Sequence, residues 1–101
     1  MSQFGLSEAI FSKIIDVFKV YSNIDEVILY GSRAMGNYRN GSDIDITIKG
    51  KDINLHFLNT ISLELDNLNL PYKIDISSYH YIENIELLDH IKRVGILLYK
   101  S

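Results

Sequence analysis

Two aspartates separated by a single residue are the feature of this chain that most directly points to chemistry. Asp43-Ile44-Asp45 opens a strictly alternating segment that reaches Lys49 and stops at Gly50, which is the pattern of a β-strand. Side chains at positions i and i+2 of a strand point to the same face about 6.6 Å apart, so the two carboxylates share one patch. Their repulsion at an effective dielectric of about 20 is on the order of 2.5 kcal/mol, and divalent cations would convert it into attraction.

A third carboxylate, Asp75, lies in a second alternating segment that runs from Tyr72 to Ser77. We expect this strand to lie beside the strand of Asp43 and Asp45, which would complete a cluster of three carboxylates. Oxygen ligands with open coordination positions suit Mg²⁺, which keeps several waters and accepts substrate phosphates as further ligands. Two such ions can hold the entering and leaving oxygens of a phosphoryl or nucleotidyl transfer, and Asp75 is then best placed to take the proton of the attacking hydroxyl.

The pair Gly31-Ser32 supplies the other half of this hypothesis. It follows Glu26 to Tyr30, an apolar run that predicts a buried strand. A glycine lets the backbone approach a phosphate closely, and the turn after it offers N–H groups and a hydroxyl. A Gly-Ser pair or an Asp-x-Asp strand has little specificity alone, but the two motifs separated by ten residues form a much more specific pattern.

Residues 31–46, Gly-Ser-Arg-Ala-Met-Gly-Asn-Tyr-Arg-Asn-Gly-Ser-Asp-Ile-Asp-Ile, resemble the signature of the minimal nucleotidyltransferases of the DNA polymerase β-like superfamily. The resemblance begins near residue 25, takes in Asp75 and reaches the closing segment 92–99. It implies that the three aspartates are catalytic and bind Mg²⁺, with two ions expected. Met35 stands where many relatives carry another arginine. The resemblance implies that the nucleoside triphosphate, expected to be ATP, is bound by Gly31, Ser32, Arg33, Arg39 and Ser42.

The resemblance also implies a partner and a biological role. Relatives act as antitoxins of a small HEPN-domain protein, often an RNase toxin, by transferring AMP from ATP to a tyrosine hydroxyl of that protein. A chain of 101 residues is predicted to form one domain, 1–101, so we expect the acceptor to come from a separate molecule in a hetero-oligomer. Two alternatives stay open: a non-catalytic module that neutralises a HEPN toxin by complex formation, and a sensor that binds nucleotide without turnover.

The hydrophobic pattern predicts the order α-β-turn-β-α-β-α-β, and therefore a single small α/β (α+β) domain with a short mixed sheet flanked by helices. Ser7 and Asn84 are predicted to cap the first and last helices. Apolar side chains at helical spacing are expected to face inward, among them Leu55 and Ile85. The remaining predicted elements are a first helix to about Ser22, a helical turn at 32–35, a helix over 53–68, a last helix to about Arg93 and an edge strand over 96–99.

Composition narrows the classes of partner. The formal charge is −3 and the ten Lys and Arg residues are scattered, so a polynucleotide substrate is disfavoured. No segment has the length of a membrane span, and the absence of cysteine fits a cytoplasmic protein. His56, His80 and His90 have no partner at metal-ligand spacing and are interpreted as surface or half-buried residues. The aromatic segment Tyr79-His80-Tyr81 is either a partner-binding rim or a loop packed on its own core.

Overall fold

The computed structural model describes residues 2–101 and has the predicted order of elements with two additions. The additions are a hairpin of β1 (Ser2–Gln3) and β2 (Leu6–Ser7), and a 3₁₀ turn at Tyr79–Tyr81. The other elements are α1 (Glu8–Lys19), β3 (Ile24–Tyr30), α2 (Ser32–Met35), β4 (Ile44–Gly50), α3 (Leu55–Asp66), β5 (Ile74–Ser78), α4 (Ile85–Val94) and β6 (Ile96–Lys100).

Short polar side chains cap the N-termini of α1, α3 and α4. Ser7 Oγ accepts a hydrogen bond from the N–H of Ile10, which confirms the predicted cap of α1. Asn84 Oδ1 accepts from the N–H of Leu87 in the same way and confirms the cap of α4. Asn54 caps α3, so this helix begins two residues later than predicted. Each cap satisfies an N–H group that has no partner within the helix, which fixes where the helix starts.

The central sheet has the strand order β5-β4-β3-β6. The pair β4–β5 is parallel and the other two pairs are antiparallel, which confirms the predicted mixed sheet. In this register Asp45 lies opposite Asp75 on β5 and opposite Tyr30 on β3. The two strands that carry the aspartates are therefore neighbours, as predicted, and β6 is an edge strand.

One face of the sheet, hereafter the core face, is packed against α1 and α3. Ile44, Ile46 and Ile48 of β4 point into this core, where they meet residues of both helices such as Phe18 and Ile61. The opposite face, hereafter the site face, is packed against α4 over β3. The sheet therefore presents one apolar surface to the core and a second surface that is covered in part by α4 and the 3₁₀ turn.

Two predicted inward-facing residues are exposed. Leu55 is 71% exposed and Ile85 is 80% exposed, so both predictions were wrong. Each is the first residue of its helix and directly follows an exposed capping asparagine. The first turn of a capped helix lies at the surface, where its free N–H groups are solvated, and helical spacing alone does not reveal this.

Candidate active site

A row of three side chains crosses the site face from β3 to β5. Tyr30, Asp45 and Asp75 lie opposite one another in the sheet register, and side chains directly opposite one another share a face. A second row lies two residues further along, where Thr47 is opposite Ser77. Ser77 Oγ donates a hydrogen bond to Thr47 Oγ1 at 3.0 Å. The site face of the two parallel strands is therefore polar over two successive rows.

Asp45 is the centre of the negative charge. Burial raises the pKa of the Asp45 carboxyl above its ordinary value, and the charges of Asp75 and Asp43 raise it further, whereas His90 lowers it. Burial likewise raises the pKa of the Tyr30 phenol, an effect that hydrogen bonding to Ser77 opposes and the negative charges of Asp45 and Asp75 reinforce. Burial and the nearby charges of Asp75 and Asp43 thus disfavour ionisation of Asp45, and a bound cation would oppose that effect.

Asp45 and Asp75 face each other as a pair, and Asp43 lies nearby without completing a cluster of three. Within residues 2–101, no three His, Cys, Asp or Glu side chains are grouped closely enough to hold a metal ion together. The prediction of a complete three-carboxylate cluster is corrected in this respect. Asp43 and Asp75 are exposed, so neither side chain is confined by packing. The donor set is of the kind that suits a hard divalent cation, because all three residues offer carboxylate oxygens.

Gly31 leaves room for the Asp45 carboxylate. It is the N-cap of α2, with φ of 76° and ψ of −157°, a backbone region that is essentially restricted to glycine. A Cβ at this position would run into Oδ2 of Asp45. Gly31 C=O accepts from the N–H of Met35, which closes the predicted helical turn. The turn and the central carboxylate are therefore in direct proximity, and half-buried Ser32 follows immediately.

Arg33 is placed differently from the prediction. Its side chain is 2% exposed, although it was expected to contact a phosphate. Nε and Nη2 both donate to the Ser42 carbonyl, and Nη1 donates to the Phe4 carbonyl at 2.8 Å. The guanidinium also lies over the rings of Tyr38 and Tyr72. In this position Arg33 joins the N-terminal hairpin to the loop before β4, because a buried guanidinium needs acceptors for its donors.

Arg39 and Ser42 close the loop that leads to the aspartates. Ser42 Oγ accepts from the N–H of Arg39 at 2.8 Å, and Ser42 N–H donates to the carbonyl of Arg39. Arg39 is exposed and lines a cavity of about 260 Å³ together with Tyr38, Gly41 and Tyr72. Contact of either residue with a nucleotide stays a prediction.

His90 is part of the site although no sequence motif predicted it. Its Nε2 accepts a hydrogen bond from the N–H of Gly31 at 3.0 Å. Its ring meets the ring of Tyr30 edge to face, with centroids 6.1 Å apart. No local motif marks either residue, and the only available signal was the apolar spacing of α4, which places its neighbour Ile91 in the interior. His56 and His80 are exposed, as interpreted.

The 3₁₀ turn contacts β4 through an aromatic ring. Lys49 Nζ lies 4.3 Å from the centroid of the Tyr79 ring, which joins β4 to the 3₁₀ turn. Tyr81 in the same turn is 64% exposed. Within residues 2–101, no helix combines the length and the apolar character that crossing a membrane requires.

Solved structures of toxin–antitoxin complexes share this fold. A chain of a toxin–antitoxin crystallised with AMP-PNP has a TM-score of 0.74 and 19% identity, with 90% of this chain and 73% of that chain covered. The structure of the tri-AMPylated Shewanella oneidensis HEPN toxin in complex with MNT antitoxin has a TM-score of 0.69 and 17% identity, with 93% of this chain and 72% of that chain covered. The toxin–antitoxin MntA-HepT has a TM-score of 0.70 and 16% identity, with 94% of this chain and 74% of that chain covered. Identities this low show the fold alone.

No curated protein matches the sequence. The family described as "Polymerase beta, Nucleotidyltransferase", in contrast, matches residues 12–101. That range contains every strand of the central sheet, the Gly31-Ser32 turn and all three aspartates. The chain therefore belongs to the polymerase β nucleotidyltransferase family.

Proposed function

We propose that this protein transfers AMP from ATP to a hydroxyl group of a partner HEPN-domain protein, with tyrosine as the expected acceptor, and that it acts as the antitoxin of that partner. The observation that carries the proposal is the pairing of Asp45 with Asp75 beside the Gly31-Ser32 turn in a chain of this family. A nucleotidyl transfer needs negative ligands for cations next to a phosphate-binding turn.

Asp43, Asp45 and Asp75 are the residues that would hold Mg²⁺, with two ions proposed. When bound, the ions supply charge neutralisation for the triphosphate and lower the pKa of an attacking hydroxyl. The donor set fits this role, since the carboxylates repel one another without a cation and two of them are exposed. Mg²⁺ prefers this kind of site, which leaves coordination positions for waters and substrate phosphates.

The chain's own side chains then have separate tasks. The Ser32 hydroxyl and the N–H groups of the turn after Gly31 bind phosphate oxygens and orient the α-phosphorus. The acceptor oxygen forms a bond to that phosphorus while the bond to the bridging oxygen of pyrophosphate breaks. The proton of the acceptor hydroxyl passes to a carboxylate oxygen of Asp75, and pyrophosphate leaves with the bonding electron pair.

The similar complexes support the choice of acceptor and nucleotide. One was crystallised with AMP-PNP, an analogue of ATP, and another contains a tri-AMPylated HEPN toxin with its MNT antitoxin. The geometry agrees with an acceptor that arrives from outside the chain, because Asp43 and Asp75 are exposed on the site face. A hydroxyl on a partner surface can therefore approach the proposed proton acceptor.

Mass spectrometry of a HEPN-domain partner tests this proposal. The partner is incubated with the protein, ATP and Mg²⁺, with and without a chelator, and we expect metal-dependent gains of AMP units. The variant Asp43→Asn/Asp45→Asn should lose about 10³-fold in rate, because metal-ion stabilisation of several kcal/mol is removed. The matched control Asp52→Asn/Asp66→Asn makes the same charge change at exposed sites elsewhere. Parent-like transfer by the first variant would refute the assignment of the metal ligands.

The second candidate function is a non-catalytic module that silences a HEPN toxin by binding it. It is favoured by the absence, within residues 2–101, of an assembled group of three metal-binding side chains. It predicts that Asp43→Asn/Asp45→Asn still inhibits the toxin at the stoichiometry of the parent. Inhibition without any gain of AMP, in the presence of a tight complex, would establish this alternative.

A further inference from the structure

The N–H of Gly31 lies beyond the reach of the neighbouring strand. β6 begins at Ile96, which is opposite Leu29, so no residue of β6 lies opposite Gly31. Amide directions alternate along a strand, and the N–H groups of Leu29 and Gly31 therefore point to the same side. A half-buried N–H without a partner is costly, so another acceptor is needed at this point. His90 Nε2 provides it at 3.0 Å.

The His90 ring packs against Tyr30, and the buried residue that follows it holds α4 on the sheet. Its edge-to-face contact with Tyr30 has an interplanar angle of 81°. The next residue, Ile91, is 4% exposed and anchors α4 to the site face. In this bond Nε2 is the acceptor, so its lone pair is directed at the Gly31 N–H. The acceptor is therefore presented from within a helix rather than from a loop.

We propose that His90 is a positioning residue for nucleotide binding, because its bond to Gly31 holds the turn whose Ser32 hydroxyl and N–H groups face the triphosphate. Glycine has wide backbone freedom, so an external contact is needed to keep Gly31 in one conformation. The same bond keeps the turn at a fixed distance from Asp45, whose carboxylate occupies the space that a Cβ would take. This inference rests on the proposed nucleotidyl transfer and adds α4 to the elements that shape the nucleotide site.

Two variants of His90 separate positioning from packing. His90→Phe keeps an aromatic ring against Tyr30 but removes the acceptor, whereas His90→Gln keeps a side-chain acceptor. Binding of ATP with Mg²⁺ is measured by calorimetry, and the Gly31 amide is followed by ¹⁵N NMR. We expect the Kd for ATP to rise about 10-fold in His90→Phe and to recover to within about 3-fold in His90→Gln, since one hydrogen bond to the turn is lost and then replaced.

The steady-state parameters and the amide spectrum sharpen the result. A positioning role predicts a higher KM for ATP with a smaller change in kcat, together with a shifted Gly31 resonance in His90→Phe before any nucleotide is added. The control is His80→Phe. The His80 ring also meets a tyrosine ring edge to face, that of Tyr79 with centroids 5.9 Å apart, but His80 is exposed. This control should match the parent in every readout.

Several results would overturn the inference. Parent-like ATP affinity in His90→Phe would do so, and so would equal loss of affinity in His90→Phe and His90→Gln with an equal fall in Tm, which would indicate packing alone. If His90→Phe does not fold, His90→Gln and the Gly31 amide of the parent decide the question. A parent that binds ATP but transfers no AMP refutes the proposed transfer alone, whereas a parent that binds no ATP refutes both proposals.

Discussion

The two faces of the central sheet are built from the same strands but have opposite character. In β4, alternate residues Ile44, Ile46 and Ile48 are at most 1% exposed in the apolar core, whereas Asp45 between Ile44 and Ile46, and Lys49 after Ile48, are half-buried on the site face. Two helices cover the core face, and one helix with a short turn covers the site face. Alternation within one strand thus separates the residues that stabilise the fold from the residues that carry the chemistry.

Charge is tolerated on the site face because it is incompletely covered. Asp75 is exposed, whereas Asp45 is half-buried and its surroundings raise its pKa. A carboxylate on the core face would lose its hydration without gaining a partner, which costs far more than half-burial. The comparison predicts that changes on the core face affect mainly the free energy of unfolding, and that changes on the site face affect mainly nucleotide binding and transfer.

The largest effect on stability is expected from Ile46→Ala. The Ile46 side chain is 0% exposed, and its truncation should lower the free energy of unfolding by about 2–5 kcal/mol through lost burial and a cavity. Urea denaturation measures the change. Thr47→Val is the matched control on the other face of the same strand, where loss of the hydroxyl that accepts from Ser77 should cost less than about 1.5 kcal/mol. An equal loss in both variants would contradict the separation of the two faces.

The second effect concerns the contact between the turn and the central carboxylate. Gly31→Ala introduces about 1–3 kcal/mol of backbone strain and a Cβ that meets Asp45, so we expect about 10–100-fold weaker ATP binding together with lower stability. Gly36→Ala is the control, because Gly36 also has positive φ, at 85°, but has open space around its Cβ position. It should lose about 1 kcal/mol of stability and bind ATP as the parent does. Equal losses of ATP affinity would show that the Asp45 contact is unimportant.

The smallest effect tests the cost of the charge itself. The folded-state pKa of Asp45 is raised, so its contribution to stability is greatest at acid pH and is lost as the pH rises from the unfolded value through the folded pKa. In chelator at pH 7, Asp45→Asn should therefore raise Tm, by less than about 4 °C because a half-exposed carboxylate is screened. Thermal melts measure it, with the exposed Asp43→Asn expected to change less. A lower Tm in Asp45→Asn would show that its charge is stabilised without a cation.

Much of the arrangement was predictable because it depends on short-range patterns. Ser7 and Asn84 identified the starts of two helices because a capping side chain reaches an N–H only three residues away. Alternation in β4 and β5 identified both strands and the side to which their aspartates point. The exposed positions of Leu55 and Ile85 were missed, since periodicity describes a helix but not where it leaves the core.

The sequence alone determined the four strands of the central sheet, the caps of α1 and α4, the Gly31-Ser32 and Asp43-Ile44-Asp45 motifs and the resemblance to the family, because each depends on the types and spacing of nearby residues. Only the tertiary structure decided that Arg33 is buried among backbone carbonyls and that His90, 59 positions from Gly31, accepts its N–H. Such contacts follow from how α4 and the N-terminal hairpin pack on the sheet. Residues far apart in sequence carry no local pattern that reports this packing.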